Sequence, residues 1–420
     1  YQPAELDYFI HNAEPAMLVC PPKSFGWLSK LAFKAGTRNV FTLGDDRSGT
    51  LLQRAVLQAD THTPLPRAAG DLAAILYTSG TTGRSKGAML THGNLLSNAQ
   101  VLKDVWAWQP GDVLMHVLPI FHVHGLFVAS HGALLAGARM IWFGRFDARA
   151  VAARLPEATV FMGVPTLYAR LLAEPSLTRD ACAGMRLFIS GSAPLLVETF
   201  THWQQRTGHT ILERYGMSET VMLTSNPYRP ETARRPGSVG LPLPGVGLRI
   251  QGSQGQPLPA GEIGGIEVKG PNVFKGYWRM PEKTADDFTT DLWFKTGDVG
   301  SVDSDGYVTI VGRSKDLIIT GGYNVYPAEI ESTINQLPGV AESAVVGVPH
   351  RDFGEAVVAV VVARPGAQID GAGVTAALKS QVANFKVPKR VFVVDELPRN
   401  AMGKVQKNLL RDQHKALFAT

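Results

Sequence analysis

Tyr77-Thr78-Ser79-Gly80-Thr81-Thr82-Gly83-Arg84-Ser85-Lys86-Gly87 is the stretch on which the reading of this chain turns. It gathers five Ser/Thr hydroxyls, three glycines, an arginine and a lysine. The apolar run before it, Leu72 to Leu76, reads as a buried strand, and Gly87 to Thr91 reads as a second strand. Glycines let a backbone lie close to an anion. Hydroxyls and amide N–H groups donate to phosphate oxygens, and Lys86 adds a point charge. The loop is therefore expected to hold a polyphosphate. It is not a Walker A loop. Gly80 and Gly83 do not give the G-x-x-x-x-G-K-[ST] spacing, Lys86 is followed by Gly, and a strand follows where that motif needs a helix. A flexible surface turn is the plain alternative, but Gly/Ser linkers seldom carry this ordered mixture of donors.

Composition sets the frame around the loop. The chain has 420 residues, 45% of them apolar, which is too long for one core and points to two or more domains. With 41 basic and 36 acidic residues the net charge is +5, and the charges are dispersed. No basic block suggests nucleic acid, and mild basicity suits small anionic substrates. Cys20 and Cys182 stand in no metal spacing, so two unpaired thiols in a reducing, cytoplasmic setting are expected. The longest apolar run, Ala356 to Ala363, is far too short to span a bilayer and is Val-rich, so it reads as a buried strand. No membrane segment and no signal peptide are expected.

The chain changes character along its length. Residues 1–70 read as mixed, with strand-like runs at Met17–Cys20 and Asn39–Leu43 and a short helix from Thr50 to Ala59. Residues 71–250 alternate apolar strands with amphipathic helices, an α/β pattern. The strands expected there are Val113–Pro119, Arg139–Phe143, Val160–Gly163, Leu187–Ser190 and Thr210–Arg214. Near Arg249 short strands with Gly/Pro turns announce a small β-rich subdomain. A polar junction, Gly312 to Asp316, precedes a compact α+β unit of about a hundred residues, an ordinary domain size. The domains expected are 1–312, a hinge at 313–316, and 317–420.

Several further clusters carry chemistry. Ser190-Gly-Ser-Ala-Pro194 and Tyr215-Gly-Met-Ser-Glu219 each follow a strand, at the kind of corner where α/β sheets place ligands. Thr296-Gly-Asp298 offers a carboxylate suited to vicinal hydroxyls, against the common alternative of a turn Asp. Pro398-Arg-Asn-Ala-Met-Gly-Lys404 ends in a lysine that taken alone reads as a surface residue.

Taken together and in this order, these motifs resemble the acyl-adenylate-forming superfamily of acyl-CoA synthetases, luciferases and adenylation domains. The resemblance spans residues 71–407. It implies a large N-terminal domain of α/β subdomains with a small β-rich subdomain, and a smaller mobile α+β C-terminal domain. It implies ATP, Mg²⁺ and CoA. Thr78, Ser79, Gly80, Thr81, Thr82, Gly83 and Lys86 would hold the phosphates. Ser192, Ala193 and Pro194 would wall the adenine pocket with Glu213, Tyr215, Gly216, Met217 and Ser218, where Ser218 replaces the family's usual Thr. Glu219 would hold magnesium. Asp298 would take the ribose hydroxyls, and Arg313 the ribose or a phosphate. Lys404 would reach the carboxylate and the α-phosphate, where an ammonium stabilises the charge of two anions brought together. Lys315 matches the hinge, and Gly321, Gly322 and Tyr323 match the channel for the CoA pantetheine arm. Lys404, His122, Glu219 and Thr78 are the expected catalytic group.

Within that superfamily the chain resembles malonyl-CoA synthetases most. The stretches are Pro119–Phe127, Met185–Leu195, Glu213–Met217 with Thr224–Tyr228, and Gly270–Glu282. A second substrate carboxylate needs a cation, because an unpaired buried charge is very costly. Arg214 or Arg186, with His122, is expected to pair it, while Val123 and Met222 would limit substituents at the α-carbon. Arg186 also has a structural alternative. The expected reaction joins malonate, ATP and CoA through malonyl-AMP, with methylmalonate as a candidate second substrate. Rival readings are a ligase for another short-chain or aromatic acid, an adenylation domain serving a carrier protein, and a catalytically impaired nucleotide-binding fragment. The last is motivated by Tyr1 to Ile10, which resembles the middle of a family domain, so that the family's first segment is expected to be missing. The partners expected are small molecules, the protein being a monomer or a dimer.

Overall fold

The structure, a computed structural model, describes residues 3–78, 85–400 and 403–418. At its centre lies a seven-stranded sheet in the order Leu241–Pro242, Thr224–Ser225, Ile211–Tyr215, Leu187–Ser190, Val160–Gly163, Val113–His116, Arg139–Trp142. The last five run parallel, and the two short edge strands are antiparallel. Parallel strands need helical crossovers, which cover both faces and explain the unbroken apolar runs. Alternation along each strand then divides the core in two. Leu114, Val160, Met162, Leu187, Ile189 and Leu212 join one apolar cluster. Met115, Phe161, Phe188 and Ile211 join the other, with Trp203 and Tyr168.

Local sequence starts the crossovers cleanly. Thr91 caps the helix His92–Val105, and its partner Asn94 bonds back to the Thr91 N–H. Asp147 caps Ala148–Arg154 through the Ala150 N–H. Such caps satisfy N–H groups that the first helical turn leaves without partners.

The strands Leu72–Tyr77 and Gly87–Thr91 form an antiparallel pair, closed at its base by the Thr78 N–H bond to the Lys86 carbonyl at 2.9 Å. Leu72–Tyr77 is not the buried strand expected. Leu72 and Ala73 are exposed and the rest is half-buried, because this strand has a partner on one side only. Gly87–Thr91 is the buried member, bonding also to Lys275, Gly276 and Trp278. The expected strand at Val113 ends at His116 and the helix from Thr50 ends at Ala55.

A four-stranded antiparallel sheet follows, Gly247–Gln251, Gly264–Lys269, Phe294–Val302 and Val308–Arg313, and its register sets Asp298 opposite Arg313. From Ile318 a separate five-stranded sheet is built around the long pair Val340–His350 and Gly354–Ala363. Its apolar clusters are its own: Ile330, Ile334, Val345 and Val357 on one face, Val346, Val358, Val360 and Leu410 on the other. The architecture is thus a large N-terminal α/β domain with a smaller C-terminal domain. Arg364 of the smaller joins Glu198 of the larger through two bonds of 2.8 Å. No helix among the described residues is long and apolar enough to cross a membrane.

Candidate active site

The carboxyl ends of the parallel strands converge on one region, the place where open α/β sheets take ligands. Ser190 leads into Gly191 and Ser192, Tyr215 into Gly216 to Glu219, and His116 into the loop that carries His122 and His124. Ser192 has φ +70, an uncommon conformation for a residue with a Cβ and one that concentrates at functional sites.

Tyr215, Asp298 and Arg313 form a single unit. The Tyr215 hydroxyl donates to Asp298 Oδ2 at 2.5 Å, and Arg313 Nε lies 2.6 Å from Oδ1. Burial, then the neighbouring Asp298, pushes the Tyr215 pKa well up, so this hydroxyl remains a donor. Asp298 is consequently a buried carboxylate held from two sides, with lone pairs left for further donors.

Glu219 is buried and accepts from the Tyr277 hydroxyl at 3.0 Å. Burial raises its pKa, against hydrogen bonding from Tyr277 and the charge of Lys86. Lys86 lies over the Tyr277 ring, 4.1 Å from its centroid, and 3.7 Å from Asp287. A lone buried carboxylate at the foot of a phosphate-type loop suits Mg²⁺, which usually takes one or two carboxylates and completes its shell with waters and substrate phosphates. No all-protein cage of three or more ligands occurs among the described residues.

Lys404 comes from the smaller domain. Its pKa is lowered by burial and then by Arg313, and Asp298, Glu219 and Arg214 also act on it. Charges of the larger domain thus reach an ammonium supplied by the smaller one. Its own segment is held by a tight turn, in which the Lys404 N–H bonds Asn400 Oδ1 and the Asn400 N–H bonds the Lys404 carbonyl, both at 3.0 Å. Lys315 has its pKa lowered to about 8, mainly by burial.

The charge of Arg214 acts on Lys404, His122 and His124 alike. Arg214 is 2% exposed, and none of its three guanidinium nitrogens has a partner. Glu213 cannot serve, because adjacent strand residues point to opposite faces. Glu213 instead accepts from the Leu195 N–H at 3.2 Å, and burial pushes its pKa up to about 8. Burial alone depresses Arg214 to about 9. Gly191 makes room for the guanidinium: a Cβ there would sit 2.6 Å from Arg214 Cζ. His122 is held neutral, its pKa lowered to about 3 by burial, Lys404 and Arg214.

Arg186, the other arginine offered for the second carboxylate, does not join them and takes its structural alternative. It precedes the strand Leu187–Ser190 and so lies at the opposite, amino end, about 13 Å away at 3.3 Å per residue. There it grips Asp112 with two bonds of 2.7 and 2.6 Å and donates to the Trp106 carbonyl at 3.0 Å. Arg186 is therefore a structural cation. Arg186→Ala leaves the buried Asp112 without its partner and should cost about 3–5 kcal/mol, the usual loss on breaking a buried pair, read as a lowered denaturation midpoint.

Val123 and Met222 are both buried in the larger apolar cluster beside Tyr215 and Val221. Gly216, Met217 and Ser218 are half-buried, while Ala193 and Pro194 lie in the turn after Ser192, both exposed or nearly so. Gly321 (φ +57) and Gly322 (φ +82) form a tight hairpin turn, and Tyr323 stacks on Phe385 at 4.6 Å. Ser79, Gly80, Thr81, Thr82 and Gly83 lie outside the described residues, whereas Thr78 and Lys86 frame the loop. Two residues were missed. Tyr277 sits inside the quoted stretch Gly270–Glu282 with no role read for it. His124 repeats His122 two positions on, and that spacing was the available signal.

Residues 1–278 match the model of the AMP-binding enzyme family, and residues 329–404 match that of the AMP-binding enzyme C-terminal domain. The chain is 37% identical to the Arabidopsis thaliana malonate–CoA ligase, over 98% of its own length and 72% of that protein. It is 40% identical to a probable CoA ligase of Humulus lupulus, CCL8, over 81% of the chain but only 61% of the hop protein's length. Among solved structures, ATP-bound MatB of Rhodopseudomonas palustris superposes with a TM-score of 0.97 at 56% identity, covering all of this chain and 83% of MatB. The apo form of the same protein gives 0.82 at equal identity and coverage. The present arrangement is thus more similar to the ATP-bound form than to the apo form, and the chain belongs to the AMP-binding enzyme family.

Proposed function

We propose that the chain is an ATP-dependent malonate–CoA ligase, AMP-forming. One observation carries this reading: Arg214, fully buried and without any hydrogen-bond partner, its charge acting on Lys404. A buried guanidinium of this kind needs an anion. A dicarboxylate supplies one from its far end while its near end reacts. The names of the Arabidopsis relative and the likeness to MatB support the same substrate class.

In the first half-reaction a malonate oxygen attacks the α-phosphorus of ATP. The bond to the bridging oxygen breaks, diphosphate leaves, and malonyl-AMP forms. Lys404 neutralises charge at the α-phosphate. Asp298, oriented by Tyr215 and Arg313, takes the ribose hydroxyls. Ser192, Ala193 and Pro194 border the adenine with Gly216, Met217 and Ser218. Glu219 would hold Mg²⁺, which neutralises phosphate charge when bound. In the second half-reaction the CoA thiolate attacks the acyl carbon and AMP leaves. An activated acyl group makes this attack feasible where a free carboxylate would resist it. Residues 313–316 with Lys315 act as the hinge between 1–312 and 317–420, and Gly321–Tyr323 line the path of the pantetheine arm. Val123 and Met222 set how large an α-substituent fits, and so decide on methylmalonate.

The test is mass spectrometry of the acyl-CoA formed from ATP, Mg²⁺, CoA and an equal mixture of malonate, methylmalonate, propionate, hexanoate and benzoate. Malonyl-CoA should dominate. A monocarboxylic acyl-CoA as main product would keep the ligase chemistry and discard malonate.

A further inference from the structure

We propose that His124 is a second specificity residue for the distal carboxylate, its Nε2–H donating to the same group that Arg214 pairs, with Ser192 fixing the tautomer. This rests on the malonate reading. His124 is 1% exposed and opens the π-helical turn His124–Ala129, a form that recurs at functional sites. Its Nδ1 lies 3.3 Å from Ser192 Oγ, and its Nε2 has no partner. A serine hydroxyl donating to Nδ1 leaves the proton on Nε2. His124 then presents a buried donor with nothing to receive it, as Arg214 does.

The two orphans are neighbours. Ser192, which holds His124, follows Gly191, which lies against the Arg214 guanidinium. Arg214 is also among the charges acting on His124, after burial, in keeping its pKa well below the usual histidine value. The His124 N–H donates to His122 Nδ1 at 3.3 Å, which ties the two rings together and leaves the His122 proton on Nε2 as well.

The chemistry explains why one cation is not enough. A carboxylate offers about four lone-pair sites, and a forked guanidinium fills two. In a dry pocket the others need neutral donors. A monocarboxylic acid would leave both Arg214 and His124 unpaired, which is the strong way for a site to reject an analogue lacking a polar group.

The experiment measures kcat/KM for malonate and for propionate in the wild type, His124→Leu, His124→Gln and Ser192→Ala, with thermal melts on each. In His124→Leu the malonate value should fall roughly 10–100-fold more than the propionate value, the range for one hydrogen bond to a charged group. Gln, which keeps an N–H near the Nε2 position, should recover part of the selectivity. Ser192→Ala should lose several-fold of it. Equal losses for the two acids in folded His124→Leu would overturn the proposal. If that variant does not fold, an unchanged malonate/propionate ratio in both His124→Gln and Ser192→Ala overturns it instead. A wild type without preference for malonate would sink the substrate reading itself, whereas a selective wild type with unselective losses sinks only the role of His124.

Discussion

Arg214→Met will lower kcat/KM for malonate by about 10²–10³-fold and, in the same protein, stabilise the ligand-free fold. The two effects have one cause. Arg214 sits with all three nitrogens unsatisfied and 2% of its surface exposed. Leaving a buried polar group without partners costs about 1–3 kcal/mol, more for a charged one. Methionine has similar reach and no such group, so the free protein should gain at least about 1 kcal/mol, seen as a later denaturant midpoint. The substrate complex moves the other way. Truncating one partner of a buried charged contact costs about 2–5 kcal/mol, or some 30-fold to several thousand-fold in affinity at 1.4 kcal/mol per decade. Propionate has no distal carboxylate to lose, so its kcat/KM should fall far less. A variant that is destabilised, or that loses the two acids in equal measure, would show that Arg214 is a fold element whose partner lies elsewhere. Sites that hold an uncompensated group in readiness for a ligand commonly trade stability for function in this way.

How much of this was readable beforehand follows from the range of each signal. The strands Val160–Gly163 and Leu187–Ser190 have the bounds expected, because a short apolar run between polar turns is local information. The strand–loop–strand frame around Thr78 to Lys86 was equally local. Arg186 failed for a geometric reason. Four residues from Ser190 looks near in sequence, but those four residues are one strand, and a strand carries its two ends to opposite edges of the sheet. Tyr277 was missed because its bond to Glu219 crosses 58 residues and depends on how the segment after Pro271 packs on Gly87–Thr91. Leu72–Tyr77 read as buried from its composition. Burial, however, depends on how many neighbours a strand finds, which composition does not state. The unpaired state of Arg214 was the least legible feature of all. A sequence shows which cations are present but not which of them lack a counter-charge.

Lys404→Ala should separate the two half-reactions. Lys404 is contributed by the smaller domain yet is acted on by Arg313, Asp298, Glu219 and Arg214, the residues proposed above for the ribose, magnesium and malonate. That holds in an arrangement which matches ATP-bound MatB at a TM-score of 0.97 and the apo form at only 0.82. A lysine that depends on the placement of its domain serves only the step for which the domain is so placed. Removing one preorganised donor from a developing charge usually costs about 10²–10³ in rate. Malonate-dependent ATP–diphosphate exchange should therefore drop by about that factor. Transfer of the malonyl group from supplied malonyl-AMP to CoA should stay within a few-fold of wild type, because that step forms no new bond at phosphorus. Lys404→Arg should not rescue exchange fully, since a planar fork does not replace a compact ammonium. Equal loss of exchange and of thioester formation would mean that Lys404 holds the domain in place without acting on the phosphate. Full retention of exchange would remove it from the chemistry altogether.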